Sequence, residues 1–115
     1  MGKRILLIDD SATFRHHISA CLRDGGYEVV EAVDGIDALG KREGCDLAIC
    51  DVNMPRMNGM EFLDHVGGQA MPVVMLTTEG RPELIERARQ AGARGWMVKP
   101  FQPEQLLSVL KQLVG

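Results

Sequence analysis

Six side chains in this sequence could do chemistry together. Asp9 and Asp10 follow the apolar run 5–8, and Asp51 follows the run 47–50. Thr77 and Thr78 follow the run 73–76, and Lys99 follows Met97 and Val98. If the runs are neighbouring strands, three carboxylates, two hydroxyls and an ammonium meet at one edge. Three carboxylates side by side resist ionising together unless a cation compensates them. A small set of oxygen-only ligands suits Mg2+, which keeps several waters and often binds phosphate as well. Lys99 adds a second, fixed positive charge. A carboxylate flanked by a metal, an ammonium and a hydroxyl can hold a phosphoryl group, whose charge spreads over all three. Aspartate can itself be the nucleophile. Singly, each residue has an ordinary reading. Paired acids favour a helix N-terminus, a lone Asp suits a turn, threonines favour strands, and a lone lysine is a solvated charge. Their joint placement after four separate runs weighs against those readings.

The positioning elements can be read from hydrophobic periodicity. "ILLI" (5–8), "LAIC" (47–50), "VVML" (73–76) and "MV" (97–98) are short and continuously apolar, with a weaker "YEVVEA" at 27–32. Continuous apolarity suits strands covered on both faces of a parallel sheet, and Glu28 and Glu31 suit the weaker run to an edge. Amphipathic stretches lie between the runs. Phe14, Ile18, Cys21 and Leu22 recur on one helical face, with Ser11 as N-cap and Gly25 and Gly26 as a stop. Residues 35–44 predict a second, poorer helix carrying Gly40 inside it, and 59–68 a third ending in two glycines. Residues 81–92 predict a fourth with Pro82 at N1 and the face Leu84, Ile85, Ala88, Ala91. Residues 102–115 predict a fifth with Pro103 at N1 and the face Leu106, Leu107, Leu110, Leu113, Val114. The result is (βα) five times, an α/β fold with a doubly wound parallel sheet and right-handed crossovers. Function in such folds gathers at the carboxyl ends of the strands.

The totals exclude other classes. The 115 residues fit one domain and one core. A net charge of −3 argues against a nucleic-acid partner. No apolar run nears 18 residues, so no membrane span is expected. The start of the chain carries neither a secretory h-region nor a myristoylation signal. Cys21, Cys45 and Cys50 show no paired spacing, which predicts reduced, buried thiols and a cytoplasmic location.

"LLIDDS", "CDVNMPRMNGMEFL", "VVMLTT" and "GWMVKPF" resemble, in order and across the whole chain, the receiver domain of two-component response regulators. The resemblance implies one receiver domain over residues 1–115, a flavodoxin-like and CheY-like fold, and strand order 2-1-3-4-5. The end of the chain near the family's own end suggests a stand-alone bacterial regulator, with chemotaxis as one pathway. The same resemblance makes Asp51 the phosphoryl acceptor. It gives Mg2+ to Asp9, Asp10, Asp51 and the backbone carbonyl of Asn53, and places Lys99 and the Thr77 hydroxyl on the phosphoryl oxygens. Thr78, Asn53, Glu79 and Trp96 fall at the switch and tuning positions. Asn53 and Glu79 govern hydrolysis in the family, and this pair implies a short-lived phosphoryl group. Trp96 stands where the family usually has Tyr or Phe, and its bulk implies a partial inward turn. The Lys99–Pro100 bond is expected to be cis, and Phe101 to pack over the last helix. Lys99 is expected beside Asp10 and Asp51. The donor would be a histidine kinase phosphohistidine. The downstream target would meet the face made by the fourth helix, fifth strand and fifth helix, where Arg81, Arg87, Arg89 and Arg94 could serve an acidic partner. A monomer is expected, with a phosphorylation-dependent dimer as the variant.

The module would be no enzyme beyond its own phosphorylation and dephosphorylation. The alternatives are a fragment of a larger regulator, a Mg2+-dependent phosphatase with an aspartyl nucleophile, and a flavodoxin-like nucleotide binder. The phosphatase lacks room for a cap and has Asn53 where a second acid is needed. The nucleotide binder lacks a phosphate cradle, because "DDSATFR" would repel one. His16, His17 and His65 read as surface residues, and the adjacent pair points about 100° apart on a helix. The methionines read as core, with Met54 and Met57 at a contact surface beside the acceptor loop. Pro55 and Gly59 shape that loop.

Overall fold

The computed structural model describes residues 2–54, 56–66, 71–78 and 80–114. The apolar runs form β1 (Arg4–Ile8), β2 (Glu28–Ala32), β3 (Leu47–Cys50), β4 (Val73–Thr77) and β5 (Gly95–Val98). The stretches between them form α1 (Ala12–Asp24), α2 (Gly35–Leu39), α3 (Gly59–Val66), α4 (Pro82–Gln90) and α5 (Pro103–Val114). All strand pairs are parallel, in the order β2-β1-β3-β4-β5. The expected α/β fold and strand order both hold.

Alternation along each strand sends side chains to two faces. Ile5, Leu7, Leu47, Ile49, Val74 and Leu76 meet Ile18 and Leu22 of α1 and Leu106 and Leu110 of α5. Leu6, Ile8, Ala48, Cys50, Val73 and Met75 meet Ala38, Phe62, Leu63 and Ala88 of the other three helices. Every residue of β3 and β4 is buried, which is why those runs carry no polar alternation. Each sealed aliphatic side chain contributes about 1.5–3 kcal/mol. β2 is an edge strand with Glu28 exposed, as its composition predicts.

The differences have local causes. β5 starts at Gly95 rather than Met97, because an edge strand needs little aliphatic signal. α2 is a single turn capped by Asp34, whose carboxylate accepts from the Asp37 amide, and Gly40 ends it. The charged stretch after Gly40 offers no apolar face to extend it. Only Cys50 is buried; Cys21 and Cys45 are half-buried, and all three are free thiols. Met54 and Met57 are buried in the core rather than set at a contact surface, because the loop after β3 folds inward. His16, His17 and His65 are exposed, as are Arg81, Arg87, Arg89 and Arg94. Pro55, Gly67, Gly68 and Glu79 lie outside the described residues. No helix among those described is long and apolar enough to cross a membrane.

Candidate functional site

Parallel pairing brings the ends of β1, β3, β4 and β5 to one edge. The Asp51 amide donates to the Ile8 carbonyl at 3.0 Å, and the Asp9 amide to the Ala32 carbonyl at 3.1 Å. These bonds extend the ladder one residue past each strand and fix where the two carboxylates begin. Asp9 is buried and Asp51 is 9% exposed, while the neighbouring Asp10 is exposed. One oxygen each from Asp9, Asp10 and Asp51 can be chosen so that all three lie within 4.8 Å of one another.

The Asp9 carboxylate accepts from the Ser11 amide at 2.9 Å, and its carbonyl from Arg15 Nη1 at 2.6 Å. Arg15 also pairs with Glu31 at 3.2 Å, so α1, β1 and β2 are tied together beside the acids. Ser11 caps α1 by accepting from the Phe14 amide, as predicted. Burial, opposed by the Ser11 amide and by Lys99 and reinforced by the Asp51 charge, raises the Asp9 carboxyl above its ordinary value.

Lys99 Nζ donates to Asp9 Oδ2 at 3.0 Å and to Asp51 Oδ2 at 3.3 Å. Its carboxylate partners are thus Asp9 and Asp51, not Asp10. Successive residues leaving a strand point opposite ways, and here Asp9 takes the inner side. The Lys99 amide donates to the Thr77 carbonyl at 2.8 Å, extending the β4–β5 ladder, and the next peptide bond is cis, as the resemblance implies. The Lys99 side chain is 16% exposed, so its ion pairs are poorly screened. Thr77 is buried at the end of β4, whereas Thr78 is exposed, so only one hydroxyl of the pair turns inward.

The loop after Asp51 is tightly held. A Cβ on Gly59 would lie 2.1 Å from the Asp51 carbonyl oxygen, so only glycine permits that approach. The Gly59 amide donates to the Val52 carbonyl at 2.9 Å. Asn58 and Glu61 form a reciprocal capping box that starts α3. Half-buried Trp96 packs on the α2, α3 and α4 side of the sheet. It lines a groove of about 120 Å3 with Ile85, Ala88, Arg89 and Arg94.

Sequence reasoning missed three contacts here. Phe14 was read only as a core position, yet its ring faces Lys99 at 3.7 Å. Phe101 packs edge-on against Phe14 of α1. The pairing of Arg56 with Asp34 carries no signal in spacing. What could have suggested the first is that an aromatic residue opens the α1 stripe directly after the acid pair.

Residues 5–111 match the family described as the response regulator receiver domain. The transcriptional regulatory protein PdtaR of Mycobacterium tuberculosis is 38% identical over 117 residues, covering 98% of this chain and 57% of that protein. The chain therefore spans little more than half the length of that relative. A chemotaxis protein CheY homolog of Campylobacter jejuni is 38% identical over 120 residues, covering 97% of this chain and 92% of that one. Among solved structures, the chemotaxis protein CheY4 of Vibrio cholerae is 43% identical with a TM-score of 0.91, over 99% of this chain and 100% of that one. A CheY-like receiver domain protein from Methanospirillum hungatei is 31% identical with a TM-score of 0.89, over 97% and 93%. The chain belongs to the response regulator receiver domain family and has its CheY-like fold.

Proposed function

We propose that this receiver accepts a phosphoryl group on Asp51 from a phosphohistidine of a histidine kinase, and so switches a protein-binding surface. The observation that carries the reading is the convergence of Asp51, Asp9, Asp10 and Lys99 at the strand ends. An Asp51 carboxylate oxygen attacks phosphorus, the N–P bond breaks, and the imidazole leaves. Lys99 pairs with the phosphoryl oxygens and Thr77 donates to them. The oxygen-only donor set fits Mg2+, held by Asp9, Asp10, Asp51 and the Asn53 carbonyl; when bound, the ion offsets the charge of the acids and the phosphoryl group. Hydrolysis by water restores the carboxylate, with Asn53 and Glu79 tuning its rate.

The switch links Thr77 and Thr78 at the end of β4 to Trp96 on β5. The target surface is the face of α4, β5 and α5, with its exposed arginines. We place the protein in the cytoplasm with its kinase, as a monomer before phosphorylation. The reading holds whether the receiver works alone or within a longer chain.

Incubation with acetyl phosphate and Mg2+ followed by intact mass tests it. One phosphoryl group should be gained, and Asp51→Asn should abolish the gain. Absence of the gain, or its survival in the variant, would sink the reading. Loading with beryllofluoride and Mg2+ should also change the emission of Trp96, the chain's single tryptophan. Unchanged emission would remove Trp96 from the switch.

A further inference from the structure

Phe14 stands in the first turn of α1, and none of the roles above uses it. It opens the apolar stripe of that helix, yet it is only half-buried, while Ile18 and Leu22 are sealed. Its ring faces the Lys99 ammonium, with Nζ 3.7 Å from the centroid. That lies well inside the roughly 6 Å over which a ring face attracts a cation. Phe101 meets Phe14 with centroids 6.3 Å apart and planes at 70°, a favourable edge-to-face arrangement. Phe101 follows Lys99 by two residues, so the loop that carries the lysine also braces the ring it faces.

Among the described residues the ammonium therefore has three partners: Asp9 Oδ2, Asp51 Oδ2 and the face of Phe14. Two of them are carboxylates assigned above to the metal and the phosphoryl group. Once those oxygens are engaged, the ammonium must exchange partners. The ring is the one neighbour of the three that is neither ligand nor acceptor, so its hold persists through the exchange. A lysine side chain left with no such hold recovers its rotamer freedom and its hydration.

We propose that Phe14 is a positioning residue that keeps the Lys99 ammonium over Asp51 during phosphoryl transfer. The role rests on the acceptor reading above. It depends on the electron density of the ring face and not on apolar bulk alone.

Two measurements separate these. In the metal-free protein, the ring current of Phe14 should move the Lys99 ε-methylene protons upfield, and Phe14→Leu should abolish that shift. Phosphoryl uptake from acetyl phosphate with Mg2+ should fall about five- to tenfold in Phe14→Leu. Phe14→Tyr should retain most of the rate. Stepwise fluorination of the Phe14 ring keeps its shape and withdraws face density, so the rate should fall with each fluorine. This series stays decisive if Phe14→Leu folds poorly. Unshifted ε-methylene protons, or Asp51 phosphorylation at a rate indifferent to fluorination, overturns the role of Phe14 alone. A wild-type protein with the shift but no phosphoryl uptake overturns the acceptor reading and this role with it.

Discussion

Arg56 donates from Nε and Nη2 to the two carboxylate oxygens of Asp34, at 2.7 and 3.1 Å, tying the loop after Asp51 to the start of α2. The Gly35 amide adds a bond to the Met57 carbonyl at 3.0 Å. The Asp34 side chain is 4% exposed although the Arg56 side chain is 61% exposed, so the acid depends on its partner more than the base does. The Arg56 guanidinium, ahead of the Asp37 amide, holds the Asp34 carboxyl below its ordinary value of 3.8. A carboxyl lowered by folding contributes stability that is complete above the unfolded value and is lost as pH falls through the folded one. Arg56→Gln should therefore be less stable than wild type at pH 7, with the gap closing below about pH 4. Asp34→Asn keeps the cap but loses the charge. Adding it to Arg56→Gln should cost less than the two single changes summed. Urea midpoints across pH 3–7 measure both; a pH-independent gap or full additivity would contradict the pairing.

A second prediction concerns the loop glycines. Gly59→Ala would drive a methyl group into the Asp51 carbonyl, at 2.1 Å. The strand end or the α3 start must then move, at a cost of about 1–3 kcal/mol or more. Since the displaced backbone carries Asp51, the proposed acceptor, phosphoryl uptake should fall as well. Gly40→Ala is the control. Gly40 has φ −77° and its Cβ would sit 3.6 Å from the Asp37 carbonyl, an ordinary contact. That change should be neutral or stabilise by up to about 1 kcal/mol. Equal urea midpoints for the two variants would refute the argument.

The fold was legible where burial on both faces leaves runs with no polar residue, as in Leu47–Cys50 and Val73–Leu76. It was less legible at β5, an edge strand, and at α2, a single turn held by Asp34 and closed by Gly40. The acids were legible as a set because they follow those runs directly. Which of Asp9 and Asp10 meets Lys99 depends on the direction each takes on leaving β1, and two identical residues in succession give no clue. Cys21 and Cys45 misled because the burial tendency of cysteine is an average, whereas Cys21 sits at the margin of its helical stripe. The Phe14–Lys99 contact was hidden because it depends on how closely the first turn of α1 approaches the β5–α5 loop. Such a distance has no period in the sequence.

A third prediction follows from Ser19. Its hydroxyl oxygen is buried in α1, with no hydrogen-bond partner among the described residues. A buried hydroxyl without a partner has lost its hydration for no return. Ser19→Ala removes that penalty and gains helix propensity. The variant should be more stable by about 1 kcal/mol, raising Tm by roughly 4 °C for a chain of this size. Calorimetry that finds a lower Tm would show that the hydroxyl serves a bond or a packing need after all.

The last prediction sets Asp9 against the metal. Burial raises the Asp9 carboxyl above its ordinary value of 3.8, so the folded chain holds that proton more tightly than the unfolded one. The stability this contributes is complete below the unfolded value and disappears as pH rises through the folded one. Above that folded value the metal-free protein carries a buried charge that its Ser11 and Lys99 partners do not fully offset. Asp9→Asn removes that charge and should melt no lower than wild type in a chelator at pH 7. Any advantage should shrink under acid, where Asp9 is neutral in both states. Mg2+ should reverse the order. At a hundredfold excess over its Kd, a ligand confined to the folded state adds about 2.7 kcal/mol, or roughly 10 °C in Tm here. Wild type should gain that increment, and Asp9→Asn, short of one carboxylate, should gain far less. If the variant melts lower in the chelator, the Lys99 ion pair outweighs the burial of Asp9. If it gains as much from Mg2+ as wild type does, Asp9 is no metal ligand.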